Sequence, residues 1–381
     1  MTASSTNSGF RIGGFDGATP IHRFAHAAMA CRWEVWLADC STEYARAAAR
    51  AAFAEIDRLE GELSRFIRSS DVARVNSLGA DQSVVVGAET FECLELAAWV
   101  NRETHGAFDV TVRSREAGAG RARRPSPDGE STDRPKRSRS VESLAPPVLG
   151  GGTLGRLALD HKTRRVTALA GDVQIDLGGI GKGYALDQMI RVLDDWSIGS
   201  LLVHSGQSTL FARCGAGQDS HWTVGIRNPE RPSSALGFVR LRDQALSGSG
   251  QTVHGAHIVD PRTGQPPDGG IGAWARSSSA AMSDALSTAF MVMSDREVAD
   301  YCRAHPDVAG LRRVAVAGRV DRPVDGPVDG RVDHRVDGQG AAAGGVAGSG
   351  SHAHAMQEGS LRLISYGQDW NLAAAPGYGE F

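Results

Sequence analysis

The chain has 381 residues, 41% of them apolar and 22% charged, with a formal net charge of −3. This is a soluble globular composition with material for a large core, and the near-neutral balance gives no reason to expect a nucleic-acid partner or a membrane surface. No run approaches a membrane-spanning length, and the five scattered cysteines lack a CxxC pair, so neither a zinc site nor a disulfide framework is indicated.

Length allows two or three domains or one elaborate α/β domain. Residues 1–20 read as a disordered N-terminus. Met1 to Phe15 is rich in Ser, Thr and Gly without an apolar h-region, so no secretory or lipoprotein signal is visible and the chain as written is expected in the cytoplasm. Residues 21–381 read as one domain with two inserts. Thr42 to Arg65 places Ala49, Ala52, Phe53, Ile56, Leu59 and Leu63 on one helical stripe, and Phe91 to Glu103 predicts a second helix. The first insert is set at 113–146. Its Arg113 to Ser140 stretch carries nine Lys/Arg against four Asp/Glu, with no apolar periodicity to offset ordering entropy, and is expected to be disordered.

Leu157 to Leu159, Arg165 to Ala168 and Val173 to Leu177 predict successive strands. A helix after Lys182 places Leu186, Met189, Ile190 and Leu193 at helical spacing, ends by Gly199, and leads into a strand at Leu201 to Val203. Further strands are expected at Trp222 to Ile226, Gly237 to Leu241 and Ala256 to Val259, and helices at Ser283 to Met293 and Glu297 to His305. Val314 to Val316 and Leu361 to Ser365 would form a hairpin whose tip is the second insert, 318–359. That insert repeats Arg/Pro-Val-Asp at far too short a period for a solenoid, which indicates a low-complexity loop. The order predicts α+β or α/β layering with mixed sheets flanked by helices.

The stretch Ile175-Asp176-Leu177-Gly178-Gly179-Ile180-Gly181-Lys182-Gly183-Tyr184-Ala185 runs from a buried segment through a glycine bend into a helix. Glycines let backbone approach a ligand, helix N–H groups point at it, and Lys182 adds positive charge, so a phosphate-bearing ligand fits. The P-loop would need Gly at Asp176 and Ser or Thr at Gly183, and the dinucleotide fingerprint would need Gly at Tyr184. A second site is Ser283-Asp284-Ala285-Leu286-Ser287-Thr288-Ala289. On a helix, Asp284 and Thr288 share a face with Ser287 beside them, which is either an all-oxygen corner for Mg²⁺ or a dipole-capping Asp with Thr as filler. In His257-Ile258-Val259-Asp260-Pro261-Arg262-Thr263-Gly264, His257 is either a general base or a structural histidine. Gly106-Ala107-Phe108-Asp109-Val110-Thr111 is either a ligand-facing bend or a helix C-cap with a core Phe.

Together and in this order, with Met29 near an early strand, Leu63-Ser64-Arg65-Phe66, Asp71 to Asn76 and Leu246 to Gly250, these pieces resemble the ApbE-like FAD:protein FMN transferases over roughly Ala27 to Asp295. The resemblance implies a T-fold-like architecture that binds Mg²⁺ and takes FAD as substrate, attaching FMN through its phosphate to Thr or Ser of a partner protein and releasing AMP. The acceptor would carry a motif of Asp-x-Ser/Thr-Gly-Ala-Ser/Thr type. By motif position, Met29, Phe66, Ala107, Phe108 and Asp109 would line the flavin or adenine, with Ile258 touching the cofactor. Asp176 and Lys182 would hold FAD polar groups, Lys182 also serving catalysis. The Gly179 carbonyl, Asp284 and Thr288 would ligate Mg²⁺, with Ser287 as a further ligand, and His257 would be the catalytic base.

The chain differs from many relatives in having Met29-Ala30-Cys31-Arg32 for Met-Gly-Thr-Thr, His204-Ser205-Gly206-Gln207-Ser208 for Asn-Ala-Gly-Gly-Asp, and Gly248-Ser249-Gly250 for Thr-Ser-Gly. After Thr111 the basic insert replaces a Gly-Pro stretch. The alternative function is an FAD-binding protein, or an FAD pyrophosphatase, without protein flavinylation.

Overall fold

The computed structural model describes residues 10–16, 20–111, 153–171, 173–206, 208–215, 220–228, 235–250, 258–267, 269–315, 331–335, 353–358, 361–367 and 370. The first elements are strands β1 (Phe10–Phe15), β2 (His22–Ala28) and β3 (Cys31–Ala38), then helices α1 (Thr42–Leu63) and α2 (Asp71–Val75), strand β4 (Ser83–Val85) and helix α3 (Ala88–Glu103). After the first insert come β5 (Thr153–Leu154), β6 (Leu157–Asp160), β7 (Arg165–Ala168), a 3₁₀ turn at Leu177–Gly179 and helix α4 (Gly181–Asp195). Strands β8 (Ser200–Ser205), β9 (Thr209–Arg213), β10 (Trp222–Arg227), β11 (Ala235–Leu241), β12 (Gln244–Gly250) and β13 (Gly270–Ser277) follow. Helices α5 (Ala280–Val292) and α6 (Asp295–Ala304) precede β14 (Ala309–Ala315), β15 (Arg331–Arg335), β16 (Ala353–Glu358) and β17 (Leu361–Tyr366).

A ten-stranded sheet runs β15-β16-β17-β14-β13-β12-β9-β8-β3-β2, with only β15 and β16 paired in parallel. Because strand side chains alternate between faces, the sheet feeds two separate cores. Trp33, Val35 and Leu37 of β3, Val203 of β8 and Ala275 of β13 pack under the helices. Their neighbours Trp36, Leu202, Leu210, Leu246 and Trp274 face a three-stranded sheet, β1-β10-β11, through Trp222, Val224 and Val239. A four-stranded sheet, β4-β7-β6-β5, adds Leu157, Leu159 and Val166 to the helical core. Helix α1 starts at Ser41, whose hydroxyl accepts from Tyr44 N, and buries Ala45, Ala49, Ala52, Ile56, Leu59 and Leu63 along one stripe.

Several sequence expectations change. Phe10–Phe15, read as part of a disordered N-terminus, pairs with β10, and Phe10, Ile12 and, past a register shift between Ile12 and Gly14, Phe15 reach the second core. Val173 to Leu177 is not a strand. Its ladder is replaced by the Asn76 side chain, which donates to Ile175 O at 3.0 Å and accepts from Ile175 N at 2.6 Å. Helix α4 stops at Asp195, and the left-handed residue beyond it is Ser197 (φ +53°) rather than Gly199. Of the strand expected at Ala256 to Val259, only Ile258 and Val259 are described, and they lie outside any sheet. The hairpin of β14 and β17 forms as expected, with Val314 opposite Arg362. Within the second insert, β15 and β16 extend the sheet edge; the rest of it and the whole of the first insert, within the stretch 112–152, lie outside the described residues, as does any side-chain account of His352 and His354. Among the described residues no helix is long and apolar enough to cross a membrane.

Helices α4 and α5 meet at Gly183. A methyl group there would lie 2.7 Å from Asp284 Cβ and closer still to the Ala280 carbonyl. Gly183→Ala is therefore expected to overpack the contact and cost about 1–3 kcal/mol, read as a lower urea midpoint. An unchanged midpoint would mean that the helices can separate freely at this point.

Candidate functional site

The glycine bend is built from local hydrogen bonds. Asp176 caps the 3₁₀ turn by accepting from Gly178 N at 3.0 Å, and its other oxygen pairs with Arg65 Nη1 at 3.3 Å. Its backbone N–H donates to Val110 O at 2.8 Å, which ties the bend to the end of the Gly106–Thr111 segment. Lys182 Nζ donates to Gly178 O at 3.3 Å, so its charge stays over the bend.

Helix α5 brings the carboxylate to this bend. Asp284 is buried, with Oδ2 accepting from Gly183 N at 3.0 Å and Oδ1 accepting from Thr209 Oγ1 at 3.0 Å. Burial pushes its carboxyl up; the Lys182 charge, the Gly183 N–H and the Thr209 hydroxyl act in the opposite direction. One turn on, Ser249 Oγ lies 2.8 Å from Ser287 Oγ and 3.2 Å from Thr288 Oγ1. Ser287 donates to Asp284 O at 2.9 Å. A methyl group on Gly179 would be 3.2 Å from Thr288 Oγ1 and 3.3 Å from Phe108 Cε2. The structure thus brings together Gly179, Lys182, Asp284, Ser287, Thr288 and Phe108.

This donor set fits Mg²⁺. The ion takes oxygen ligands and keeps waters or substrate phosphates rather than a full protein cage. Among the described residues no group of three or more His, Cys, Asp and Glu could hold a metal, so a closed cage is not what the site offers. A carboxylate has about four lone-pair positions, and the two Asp284 contacts leave positions on both oxygens.

The other expected residues are placed less directly. Met29 and Ala30 form a left-handed turn (φ +49° and +56°) between β2 and β3, and Met29 packs on the helical core, which also contains Ile258 and Ala107. Phe66 is 80% exposed, with the Arg65 guanidinium over its ring at 4.6 Å. Asp109 is engaged by Thr111, whose N and Oγ1 donate to its Oδ1 at 2.8 and 2.6 Å, and it faces the turn at Gly155. His257 lies outside the described residues. The turn that follows it is fixed by Arg262, which binds Asp260 through Nε and Nη2 and reaches Glu297 at 2.6 Å.

Strand parity places two of the departing residues, Gly248 and His204, away from the site. Gly248 points to the second core, where a methyl group would be 2.6 Å from Trp274 Nε1, whereas Ser249 points to the site. No site hydroxyl is lost there. His204 likewise faces the second core and lies 3.4 Å from Glu34 Oε2. The hydrogen bond from His204 is the main cause holding Glu34 down at about 2. Cys31 is different. It sits under Gly206 on the helical side near Lys182, and burial pushes its thiol up to about 11.

Thr209, Ser247 and Asp187 are the residues that sequence reasoning missed. The alternation Ala245, Ser247, Ser249 on one face of β12 was the available signal for the hydroxyl row. Asp187 of α4 receives the first N–H groups of α5, from Ala280 at 2.7 Å and Ala281 at 2.9 Å, and the Ser279 hydroxyl at 2.7 Å.

Residues 29–311 match the model of the ApbE family. Among curated proteins, the chain is 28% identical over 348 residues to FAD:protein FMN transferase of Treponema pallidum, covering 82% of this chain and 91% of that protein. It is 26% identical over 251 residues to the enzyme of the same name from Klebsiella pneumoniae, covering 62% and 68%. Among solved structures, the ApbE protein of Thermotoga maritima superposes with a TM-score of 0.61 at 24% identity, covering 77% of this chain and 94% of that one. The apo flavinyl transferase ApbE of Pseudomonas stutzeri gives 0.60 at 22%, covering 78% and 91%. These structures share the fold.

Burial lifts the Asp187 carboxyl to about 6, against the opposing N–H groups, the Ser279 hydroxyl and Arg191. A folded-state pKa above the unfolded value means that the native chain retains a proton the unfolded chain has lost. This contribution to stability is present below about pH 4 and is lost as pH rises through about 6. Asp187→Asn cannot titrate, so the stability of wild type relative to this variant should fall between about pH 4 and pH 7 in denaturant titrations. A constant difference would contradict the buried, proton-retaining carboxyl.

Proposed function

The chain belongs to the ApbE family, and from that premise we propose that it is an Mg²⁺-dependent FAD:protein FMN transferase. The observation that carries this reading is the convergence of Asp284 and Thr288 on the Gly179–Gly183 bend, with Lys182 over the same bend. The names of the Treponema and Klebsiella relatives support FAD as the substrate and a protein as the acceptor.

Asp284, Thr288 and the Gly179 carbonyl would hold the ion, with Ser287 and Ser249 alongside. When bound, Mg²⁺ supplies positive charge to the FAD diphosphate. Lys182 adds charge of the same sign, and two unit charges 4 Å apart interact by about 4 kcal/mol at an effective dielectric of 20. Asp176, engaged by Arg65 and Gly178, would hold the bend in shape and accept FAD polar groups. Phe66, exposed, would offer its ring to the flavin or adenine, and Met29, Asp109 and Ile258 would line them, while the buried Phe108 and Ala107 would support the site from the core side. The acceptor Ser or Thr oxygen forms a bond to the FMN phosphorus while the bond from that phosphorus to the AMP oxygen breaks. His257 would take the acceptor proton, and AMP leaves. Such a base contributes about 10²–10⁴ in rate.

The test is to mix the protein with FAD, Mg²⁺ and a peptide of Asp-x-Ser/Thr-Gly-Ala-Ser/Thr type and to measure peptide mass. An adduct heavier by FMN, with AMP released, is expected. AMP and free FMN without adduct would show a pyrophosphatase, and FAD bound without turnover would show a carrier. Asp284→Ala should abolish turnover, and unchanged turnover in that variant would overturn the metal assignment. His257→Ala should lower the rate of adduct formation by about 10²–10⁴.

A further inference from the structure

We propose that Thr209 is a positioning residue for the Asp284 carboxylate, the last link of a buried hydroxyl relay that begins at Ser247. The inference rests on the reading of Asp284 as a metal ligand and concerns what aims that ligand.

Strands β9 and β12 pair so that Thr209 stands opposite Ser247, and both side chains are fully buried on the helical face of the sheet. Ser247 Oγ donates to Thr209 Oγ1 at 3.2 Å, and Thr209 Oγ1 donates to Asp284 Oδ1 at 3.0 Å. A hydroxyl has one proton to give. Because Thr209 accepts from Ser247, its own proton is directed at the carboxylate. Ser205 Oγ donates to the Thr209 carbonyl at 3.4 Å, which ties the start of β9 to the end of β8.

The terminal torsion of an aspartate is broad and roughly two-fold, so one donor does not fix the carboxylate plane. Gly183 N holds Oδ2 from helix α4, and Thr209 holds Oδ1 from the sheet. Donors from two separate elements determine the plane and so fix the orientation of the lone pairs that remain on both oxygens. Outer partners of this kind typically change metal affinity by about 10- to 100-fold when removed.

Thr209→Val keeps the branched shape and removes the hydroxyl, both donor to Asp284 and acceptor from Ser247; Thr209→Ser keeps the hydroxyl and removes a methyl group. Mn²⁺ should be titrated into the full-length protein with FAD present, the free ion being followed by electron paramagnetic resonance. Asp284→Ala serves as the reference, and each variant's thermal transition is recorded without metal. The expected result is an affinity about 10- to 100-fold weaker in Thr209→Val and near wild type in Thr209→Ser. Equal losses in both would assign the effect to packing and overturn the relay. Wild-type affinity in Thr209→Val, with binding lost in Asp284→Ala, would overturn the relay but leave the metal reading intact. Wild-type affinity in Asp284→Ala would remove that reading and this inference together. If Thr209→Val does not fold, Ser247→Ala replaces it: a weaker Mn²⁺ affinity supports the relay, and an unchanged one overturns it.

Discussion

The buried contact between Gly183 and Asp284 is the interaction on which the rest of the site depends. A carboxylate inside a helix–helix interface is expensive unless hydrogen-bonded, and here the backbone N–H of Gly183 and the hydroxyl of Thr209 supply the bonds. The first requires that position 183 carry no side chain, since any Cβ would run into Ala280 and Asp284. The same absence lets the helix that starts after the glycine bend lie against α5, so that Thr288 arrives beside Gly179. Asp187 reinforces this from below by capping α5 with a side chain of α4. The two halves of the proposed ion site are thus held together by contacts that would also stabilise an inert helix pair. What supports the proposed ion site is the surplus of oxygen: Ser249 meets Ser287 and Thr288 one turn from a carboxylate that retains unused lone pairs.

The ten-stranded sheet separates chemistry from packing. Its helical face carries Cys31, Ser205, Thr209, Ser247 and Ser249, while its other face carries Glu34, His204, Gly248 and Trp274 against the three-stranded sheet. Two of the residues that depart from the related sequences fall on the packing face: Gly248 makes room for Trp274, and His204 pairs with Glu34. Cys31 and Ser205 are departures that stay on the helical side, Cys31 near Lys182 and Asp284.

Much of this was legible in the residues. The stripes of α1 and α4, the strands β6, β7, β8, β10 and β11, and the β14–β17 hairpin follow directly from periodicity. The Asp284–Thr288 pairing on one helix face followed from spacing, and its convergence with the glycine bend from the resemblance. What could not be read depends on contacts between distant segments. Val173 to Leu177 has the apolar character of a strand, yet its hydrogen bonds go to the side chain of Asn76, about a hundred residues earlier. Phe10–Phe15 looks unstructured in isolation because its partner, β10, lies more than two hundred residues away. Thr209 was invisible because a lone hydroxyl at a strand start acquires meaning only when the Ser247 register and the approach of α5 are known.

The central claim is that the oxygen corner formed by Asp284 and Thr288 holds a divalent ion in contact with the diphosphate of FAD. Electron–nuclear double resonance of the Mn²⁺-loaded protein with saturating FAD tests it most directly. A ³¹P hyperfine coupling characteristic of a phosphate bound to the ion, present in wild type and absent in Asp284→Ala, is the predicted result. An Mn²⁺ signal indistinguishable from the hydrated ion, with FAD bound and no phosphorus coupling, would contradict it.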